Sequence, residues 1–343
     1  MKALVWKGPH NLMVEDVAKP NIGSDEALVQ VIYNGICGTD MTIQKGGHPR
    51  AKPPLIPGHE IVGRIVEMKS RSRQRHRGLR RGDRIAIRPI ISCGKCLACR
   101  SDQSHVCRNL RLPGIDFNGG CAEYLKVPTE ILHRIPEYAK DEEVALVEPL
   151  AVAIHAISRI HNPTKKSKIL IQGAGPIGTL IGLVLRYQGH RRVTVSDISQ
   201  FRLGIAKKIG LGILDASDPD FKSNALGLAS PEGFDILFEA SGSKSSALNL
   251  TDLLRVQGTA AIVGVHSEPA PVNLTQVAFK ELSLIGTRVY TAQDFEKAIR
   301  LASTNRLGLQ RLVTHIISLQ DSPKGFEAMA DTQSSLKVLI KCS

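Results

Sequence analysis

No apolar run in the 343 residues reaches the length of a membrane-spanning helix, so a transmembrane role is not expected. The N-terminus, Met1-Lys2-Ala3-Leu4-Val5-Trp6, lacks the long apolar stretch and cleavage site of a secretory signal. Both absences point to the cytoplasm, where clustered cysteines are more often metal ligands than disulfides. There are no internal repeats, and the one compositionally biased segment is rich in arginine. That segment lacks aromatic residues for base stacking, and no nucleic-acid-binding motif follows it. It carries Lys69, Arg71, Arg73, Arg75, Arg77, Arg80, Arg81 and Arg84, with His76 among them, and accounts for much of the net charge of +13. A polyanion patch is one reading. A solvated loop over 69–84 is the expectation, with nucleic acid not expected as a partner.

What is present is an ordinary folded composition, 42% apolar and 22% charged, in a chain long enough for two cores. Four of the seven cysteines, Cys93, Cys96, Cys99 and Cys107, are spaced C-x2-C-x2-C-x7-C. Thiolates at that density suit a tetrahedral Zn²⁺ held wholly by sulfur. Such a site is closed: it can lock a loop but leaves no position for a substrate.

A second, sparser set of metal donors is Cys37 in Gly35-Ile36-Cys37-Gly38-Thr39-Asp40, His59 and Glu60 in Pro57-Gly58-His59-Glu60, and Glu148. Cys, His and carboxylate are all competent Zn²⁺ ligands, and three of them leave room for a water or a substrate oxygen. A lone Cys or His is more often structural than ligating, so the joint pattern carries the reading.

Up to about Ala145, short β-rich runs alternate with Gly/Pro turns, as at Ala27–Tyr33, Ile61–Met68, Arg84–Pro89 and Ala122–Val127. This suggests a barrel-like β domain with long loops. Glu148–Ile160 reads as a helix. From Lys168 the pattern becomes alternating strand and helix: Ile169–Ile171, Pro176–Gln188, Val193–Val195, Arg202–Ile209, Phe234–Phe238, a helix over Ala247–Val256, and Ala260–Val265. Such alternation implies a doubly wound parallel sheet. A helix near Asp294–Thr304, the run Leu312–Ile317 and a final strand Lys337–Cys342 are free to return to the first domain. The boundaries read as 1–156, with a metal lobe at about 90–110, then 157–292 and 293–343.

Gly173-Ala174-Gly175-Pro176-Ile177-Gly178 is G-x-G-x-x-G between a strand and a helix. Gly173 permits the tight turn, Gly175 the approach of a pyrophosphate and Gly178 the packing of helix on strand. The helix N-terminus supplies amide donors and partial positive charge. Asp197 ends the next strand, nineteen residues after Gly178. A carboxylate there accepts ribose hydroxyls and repels a 2′-phosphate, favouring NAD over NADP. Arg202 is placed to soften that preference.

These segments together resemble the zinc-containing medium-chain dehydrogenases/reductases over nearly the whole chain. The likeness includes Gly119-Gly120-Cys121-Ala122-Glu123-Tyr124, Glu239-Ala240-Ser241-Gly242 and Val263-Gly264-Val265; Glu148-Pro149-Leu150 looks like the polyol dehydrogenase branch. Threonine, butanediol, sugar-acid and aminocyclitol dehydrogenases are near relatives. The resemblance implies an α/β protein with a GroES-like β-barrel catalytic domain, to which the C-terminal segment returns, and a Rossmann NAD-binding domain. It implies two Zn²⁺ per chain, NAD, and a homo-oligomer, tetramer or dimer. Cys37 and His59 would hold the catalytic zinc. Glu60 and Glu148 compete for the next position, and Asp40 would orient His59. Zinc would lower the pKa of a substrate alcohol, and hydride would pass to the nicotinamide. Thr39 would take the proton first, and Val265 would lie at the cofactor.

Thr42 departs from the family pattern, in which many relatives carry a histidine, and this leaves the final proton acceptor open. Cys121 stands where relatives are often aromatic, at the pocket edge. Phe117, Arg288 and Tyr290 fall in segments that approach the active site in this family, with Arg288 a candidate contact for substrate or cofactor. His48 and His155 read as structural.

The resulting expectation is a zinc-dependent enzyme that moves hydride from a secondary alcohol, a polyol, cyclitol, aminocyclitol or sugar derivative, to NAD⁺. One alternative is an L-threonine or amino-alcohol dehydrogenase. Another, of a different class, is a zinc-stabilised nucleic-acid-binding or interaction protein on a dehydrogenase scaffold.

Overall fold

The computed structural model describes residues 1–69, 78–161, 163–229 and 231–343. Arg71, Arg73, Arg75, His76 and Arg77 of the basic segment therefore lie outside the described residues. The chain divides into two compact units, Met1–Glu148 with Thr291–Ser343, and Pro149–Tyr290. The first division falls inside the helix Val147–Ser158, a few residues before the position read from sequence. Among the described residues no helix is long and apolar enough to cross a membrane.

The first unit is built on a seven-stranded sheet. Its path runs Val313–Ser318, Lys337–Lys341, Glu26–Gly35, Glu60–Lys69, Arg84–Ile87 and Leu132–Arg134, with Tyr124–Pro128 also pairing with Glu26–Gly35. Tyr124–Pro128 alternates buried and part-exposed positions, the pattern of an antiparallel strand with one face on a core. The core includes Ala27, Val29, Val31, Ile61, Ile65, Ile85, Val338 and Ile340. The final strand pairs antiparallel with Glu26–Gly35, Leu339 lying opposite Gly35, and so brings the C-terminus back to the first unit.

Arg84 is an exception to the solvated-loop reading of the basic segment. It is buried, and its guanidinium donates to the carbonyls of Pro136, Glu137 and Ala139 and pairs with Asp141. A buried guanidinium needs such partners. Here they clamp the loop that leads to Asp141–Val144.

The second unit is a six-stranded sheet in the order Gly212–Asp215, Val193–Asp197, Ile169–Gln172, Phe234–Glu239, Leu254–Ile262 and Ser283–Gly286, every pair parallel. The third, second, first, fourth, fifth and sixth strands thus lie side by side, the doubly wound order that reverses at its first strand. Ile169–Gln172 is buried throughout, as a central strand covered on both faces must be.

One element differs from the sequence reading. The helix expected over Ala247–Val256 spans Lys244–Leu253, and Leu254–Ile262 is already strand. The apolar pairing of Leu253 with Leu254 satisfies either period. Leu254 takes the strand because it pairs beside Phe234.

Candidate active site

The four-cysteine lobe holds its sulfurs together. Cys93 and Cys99 Sγ are 4.0 Å apart, Cys96 and Cys99 3.5 Å, and Cys96 and Cys107 3.8 Å. A tetrahedral ion with Zn–S bonds of about 2.3 Å needs sulfurs about 3.8 Å apart, so the spacing fits zinc. Backbone N–H groups of Cys93 and Asn109 donate to Cys107 Sγ at 3.3 Å. The N–H groups of Arg108 and Cys99 pull the Cys96 thiol down to about 6, toward the thiolate that binds metal. The four sulfurs leave no position for a substrate.

The sparser set lies wholly in the first unit. Cys37 precedes the helix Gly38–Gln44 and occupies its N-cap position. Gly58 has φ +103°, and a Cβ there would stand 2.5 Å from the Asn34 side chain; that turn presents His59 and Glu60. Donor atoms of Cys37, His59 and Glu60 all lie within 4.8 Å of one another. A sulfur, an imidazole nitrogen and a carboxylate oxygen at that spacing, with His59 and Glu60 buried, form a donor set suited to Zn²⁺ with a coordination position to spare.

Asp40 ties the two loops together. Its Oδ2 accepts from the Cys37 N–H at 2.9 Å, its Oδ1 accepts from the Gly58 N–H at 3.2 Å, and Oδ1 lies 3.6 Å from His59 Nδ1. A carboxylate behind a ligating imidazole fixes its orientation, and with Nδ1 facing Asp40, Nε2 is the nitrogen left for a metal. Burial works against a charged His59. The Asp40 carboxylate and the Cys37 sulfur outweigh it, with Glu148 adding to them, and hold the His59 pKa well above its ordinary value. Glu148 is also buried, and its charge is felt at His59. The three-donor group contains Glu60, however, and not Glu148.

Sequence reasoning missed Lys337. It is 2% exposed, its Nζ donates to the Ile36 carbonyl at 2.8 Å, and it forms an ion pair with Glu60 Oε2. No local signal marks it, since its partners lie some three hundred residues earlier and only strand register brings them together.

The remaining expected residues fall in varied places. Thr39 is half-buried in the first turn of the helix after Cys37. The Thr42 hydroxyl donates to the Gly38 carbonyl at 3.2 Å. Phe117 is half-buried with the Arg111 guanidinium over its ring. His48 Nδ1 accepts the N–H groups of Arg50 and Ala51. His155 is buried in the helix Val147–Ser158.

Cys121 departs from the pocket-edge expectation. It is fully buried in the core of the first unit and accepts from Asn34 Nδ2 at 3.1 Å. A thiol is small and apolar enough to be packed there. Tyr290 is also fully buried, whereas Arg288 is exposed.

In the second unit the glycine loop has the geometry of a phosphate cradle. Gly173 has φ +103°, and a Cβ there would come within 2.9 Å of the Ser241 N. Gly178 faces the Gly173 carbonyl too closely for any side chain. At Gly175 the space is open; the nearest atom to a Cβ is Arg202 Nη1, 3.9 Å away. Pro176 opens the helix Pro176–Tyr187, with Ile177 following in its first turn. The N-terminus, an open glycine and a guanidinium thus converge where an anion would lie.

Asp197 Oδ2 accepts the Ala174 N–H at 2.7 Å and its Oδ1 the Ser199 N–H at 2.8 Å, which fixes its carboxylate beside the loop. Val265 is 93% exposed just beyond Leu254–Ile262, at the carboxyl end of a strand, where ligands of such sheets bind. Glu239, one of the residues that carry the family resemblance, has a structural role. Fully buried, it accepts from the Ser241 and Gly242 N–H groups and from the Ser241 and Ser246 hydroxyls, and it faces His266 Nε2 at 3.1 Å. It therefore pins two loops at that same edge.

Residues 23–137 match the alcohol dehydrogenase GroES-like domain, and residues 176–304 match the zinc-binding dehydrogenase domain. The chain is 32% identical to an L-threonine 3-dehydrogenase of Shewanella putrefaciens over 99% of each sequence. This chain is a zinc-containing medium-chain dehydrogenase. A solved relative from Escherichia coli CFT073, described as a short chain alcohol dehydrogenase complexed with NADH, is 28% identical with a TM-score of 0.91 over 99% of both chains. L-idonate 5-dehydrogenase of E. coli K-12 is 26% identical with a TM-score of 0.86, over 99% of this chain and 97% of the other. As a member of this family, the dehydrogenase has a GroES-like domain and a Rossmann-type domain and uses zinc and NAD.

Proposed function

We propose that this dehydrogenase oxidises a secondary alcohol of a small polar molecule, a polyol, cyclitol, aminocyclitol or sugar derivative, with NAD⁺ as acceptor. The observation that carries the reading is the grouping of part-exposed Cys37 with buried His59 and Glu60 within 4.8 Å, a donor set with room for a substrate oxygen. Zinc bound there supplies a Lewis acid that lowers the alcohol's pKa, and bound NAD⁺ supplies the hydride acceptor.

The residues have distinct tasks. Cys37 and His59 hold the metal, with Glu60 or Glu148 completing the set. Asp40 keeps His59 Nδ1 turned away from the metal. The Thr39 hydroxyl, in the first turn of the helix after Cys37, would receive the alcohol proton. Thr42, whose hydroxyl donates to the Gly38 carbonyl, offers no basic nitrogen to take up that proton at neutral pH. On the nucleotide side, Gly173, Gly175 and Gly178 admit the pyrophosphate to the helix N-terminus, with Arg202 beside it. Asp197 accepts ribose hydroxyls and disfavours a 2′-phosphate.

A second reading, oxidation of L-threonine or a related amino alcohol, is favoured by the curated relatives at 32% identity. One experiment addresses both. Zinc-loaded protein is screened for NADH formation across polyols, inositols, aminocyclitols, sugar acids and L-threonine. Activity on a polyol, cyclitol or sugar class is expected. Activity confined to L-threonine selects the second reading, and no NADH from any of them sinks both.

A further inference from the structure

The Glu60–Lys337 pair is assembled by three adjacent strands. Glu26–Gly35 is the middle one. Its last residue, Gly35, lies opposite Glu60 on one side and opposite Leu339 on the other. Lys337 is two residues before Leu339, so the strand period puts both on the same face. Gly35 has no side chain to stand between them. A Cβ there would overlap Glu60 Oε2 and lie 3.1 Å from Lys337 Cε. The pair thus closes over a bare backbone position, and both of its side chains are 2% exposed. An ammonium taken so far from water needs its partners in place. Lys337 has two, the Glu60 carboxylate and the Ile36 carbonyl, and Ile36 immediately precedes Cys37.

Glu60 therefore faces two cations, the metal that its donor set fits and Lys337. A buried unit positive charge beside the carboxylate weakens its hold on a dication, both by direct repulsion and by occupying one of its two oxygens. We propose that Lys337 is a positioning residue of the metal site. It anchors Glu60 from behind, prevents it from becoming a tight ligand, and so keeps a coordination position available for exchange. The C-terminal strand would then do more than complete the sheet: it would set how firmly the open site grips its metal. This inference rests on the reading of Cys37, His59 and Glu60 as a zinc site.

The test reads metal retention rather than turnover. Lys337→Gln removes the charge but keeps a hydrogen-bonding group within the pocket. Zinc stoichiometry and the rate of zinc loss to a chelator are measured for wild type, Lys337→Gln, Lys337→Arg, Glu60→Gln and the double variant Glu60→Gln/Lys337→Gln. With the charge gone, the more labile zinc should leave at least about tenfold more slowly, and Lys337→Arg should restore wild-type loss. In the Glu60→Gln background, removing Lys337 should change the rate less than it does in wild type, because the gain runs through Glu60. If Lys337→Gln alone does not fold, Lys337→Met, which keeps the length of the side chain without its charge, takes its place in both backgrounds. Unchanged or faster zinc loss in Lys337→Gln, or an equal effect in both backgrounds, overturns the proposal. If wild type binds a single zinc that Cys37→Ser leaves in place, the open-site reading fails and takes this inference with it. If two zincs bind and Lys337→Gln changes nothing, only the inference falls.

Discussion

Two aspartates do comparable work in the two units, each holding separate pieces of chain by accepting from backbone N–H groups and facing a cation. Asp40 joins the Cys37 and His59 loops. Asp235 joins three neighbouring strands of the nucleotide-binding sheet: it accepts from the Lys168 N–H at 2.7 Å and pairs with Arg255 Nε at 2.7 Å. Burial alone would raise its pKa, but the Arg255 and Lys168 hydrogen bonds and the charges behind them hold it below the usual carboxylate value. A carboxylate whose folded pKa is depressed contributes stability above its unfolded pKa, about 4, and loses it as pH falls through the folded value. Asp235→Asn should therefore cost about 1 kcal/mol at pH 7, since the pair is partly solvated. The difference from wild type should shrink as pH falls below the unfolded value and on through the depressed folded one. Urea unfolding across a series of pH values from 7 downward checks this, and a cost that does not change with pH would remove the electrostatic explanation. Residues of this kind are legible unevenly. Cys93, Cys96, Cys99 and Cys107 announce themselves because their geometry is encoded in local spacing. Asp235 and Lys337 do not, because each has meaning only against a strand that the sequence places far away.

At the scale of elements, a helix boundary is legible where capping chemistry and apolar spacing agree. Thr291 and Asp294 form a reciprocal capping box for the helix Ala292–Ser303: the Asp294 N–H donates to Thr291 Oγ1 at 3.2 Å, and the Thr291 N–H donates to Asp294 Oδ2 at 3.0 Å. Two otherwise orphaned donors are satisfied. The cap also sits where the chain re-enters the first unit, so it fixes the start of the segment that carries Lys337. Thr291→Ala should cost about 1 kcal/mol of stability, and Thr291→Ser almost nothing. Equal losses in both, measured by urea unfolding, would locate the effect in the methyl group instead of the hydroxyl. The start of this helix was readable to within two residues because Thr, Asp and the apolar spacing agree. The end of Lys244–Leu253 was not, because no glycine, proline or capping residue separates it from Leu254–Ile262. There, tertiary pairing with Phe234–Glu239 decides the boundary.

For the whole molecule, the two proposed metal sites, of opposite design, make a prediction that neither makes alone. The four-cysteine lobe draws all its ligands from fifteen consecutive residues, and its sulfurs already stand near tetrahedral separations. Zinc bound there would stabilise a lobe in which Cys93, Cys96 and Cys99 are all part-exposed, because metal binding to such a lobe contributes folding energy. The Cys37, His59 and Glu60 set is mounted instead on strands and turns that pack without it, around Asp40 and over the core of the first unit. The two zincs should accordingly separate in their consequences. Wild type should hold about two zinc ions per chain, and Cys93→Ser and Cys37→Ser about one each. Cys93→Ser should lower the thermal midpoint by several degrees, as the loss of one to a few kcal/mol does in a chain of this size. Cys37→Ser should leave the midpoint nearly unchanged while abolishing NADH formation. Metal analysis, thermal unfolding and the activity assay on the same three proteins decide it. If Cys37→Ser proves the more destabilising of the two, the open site is a structural keystone, and the division of labour between the zincs is the reverse of the one argued from their geometry.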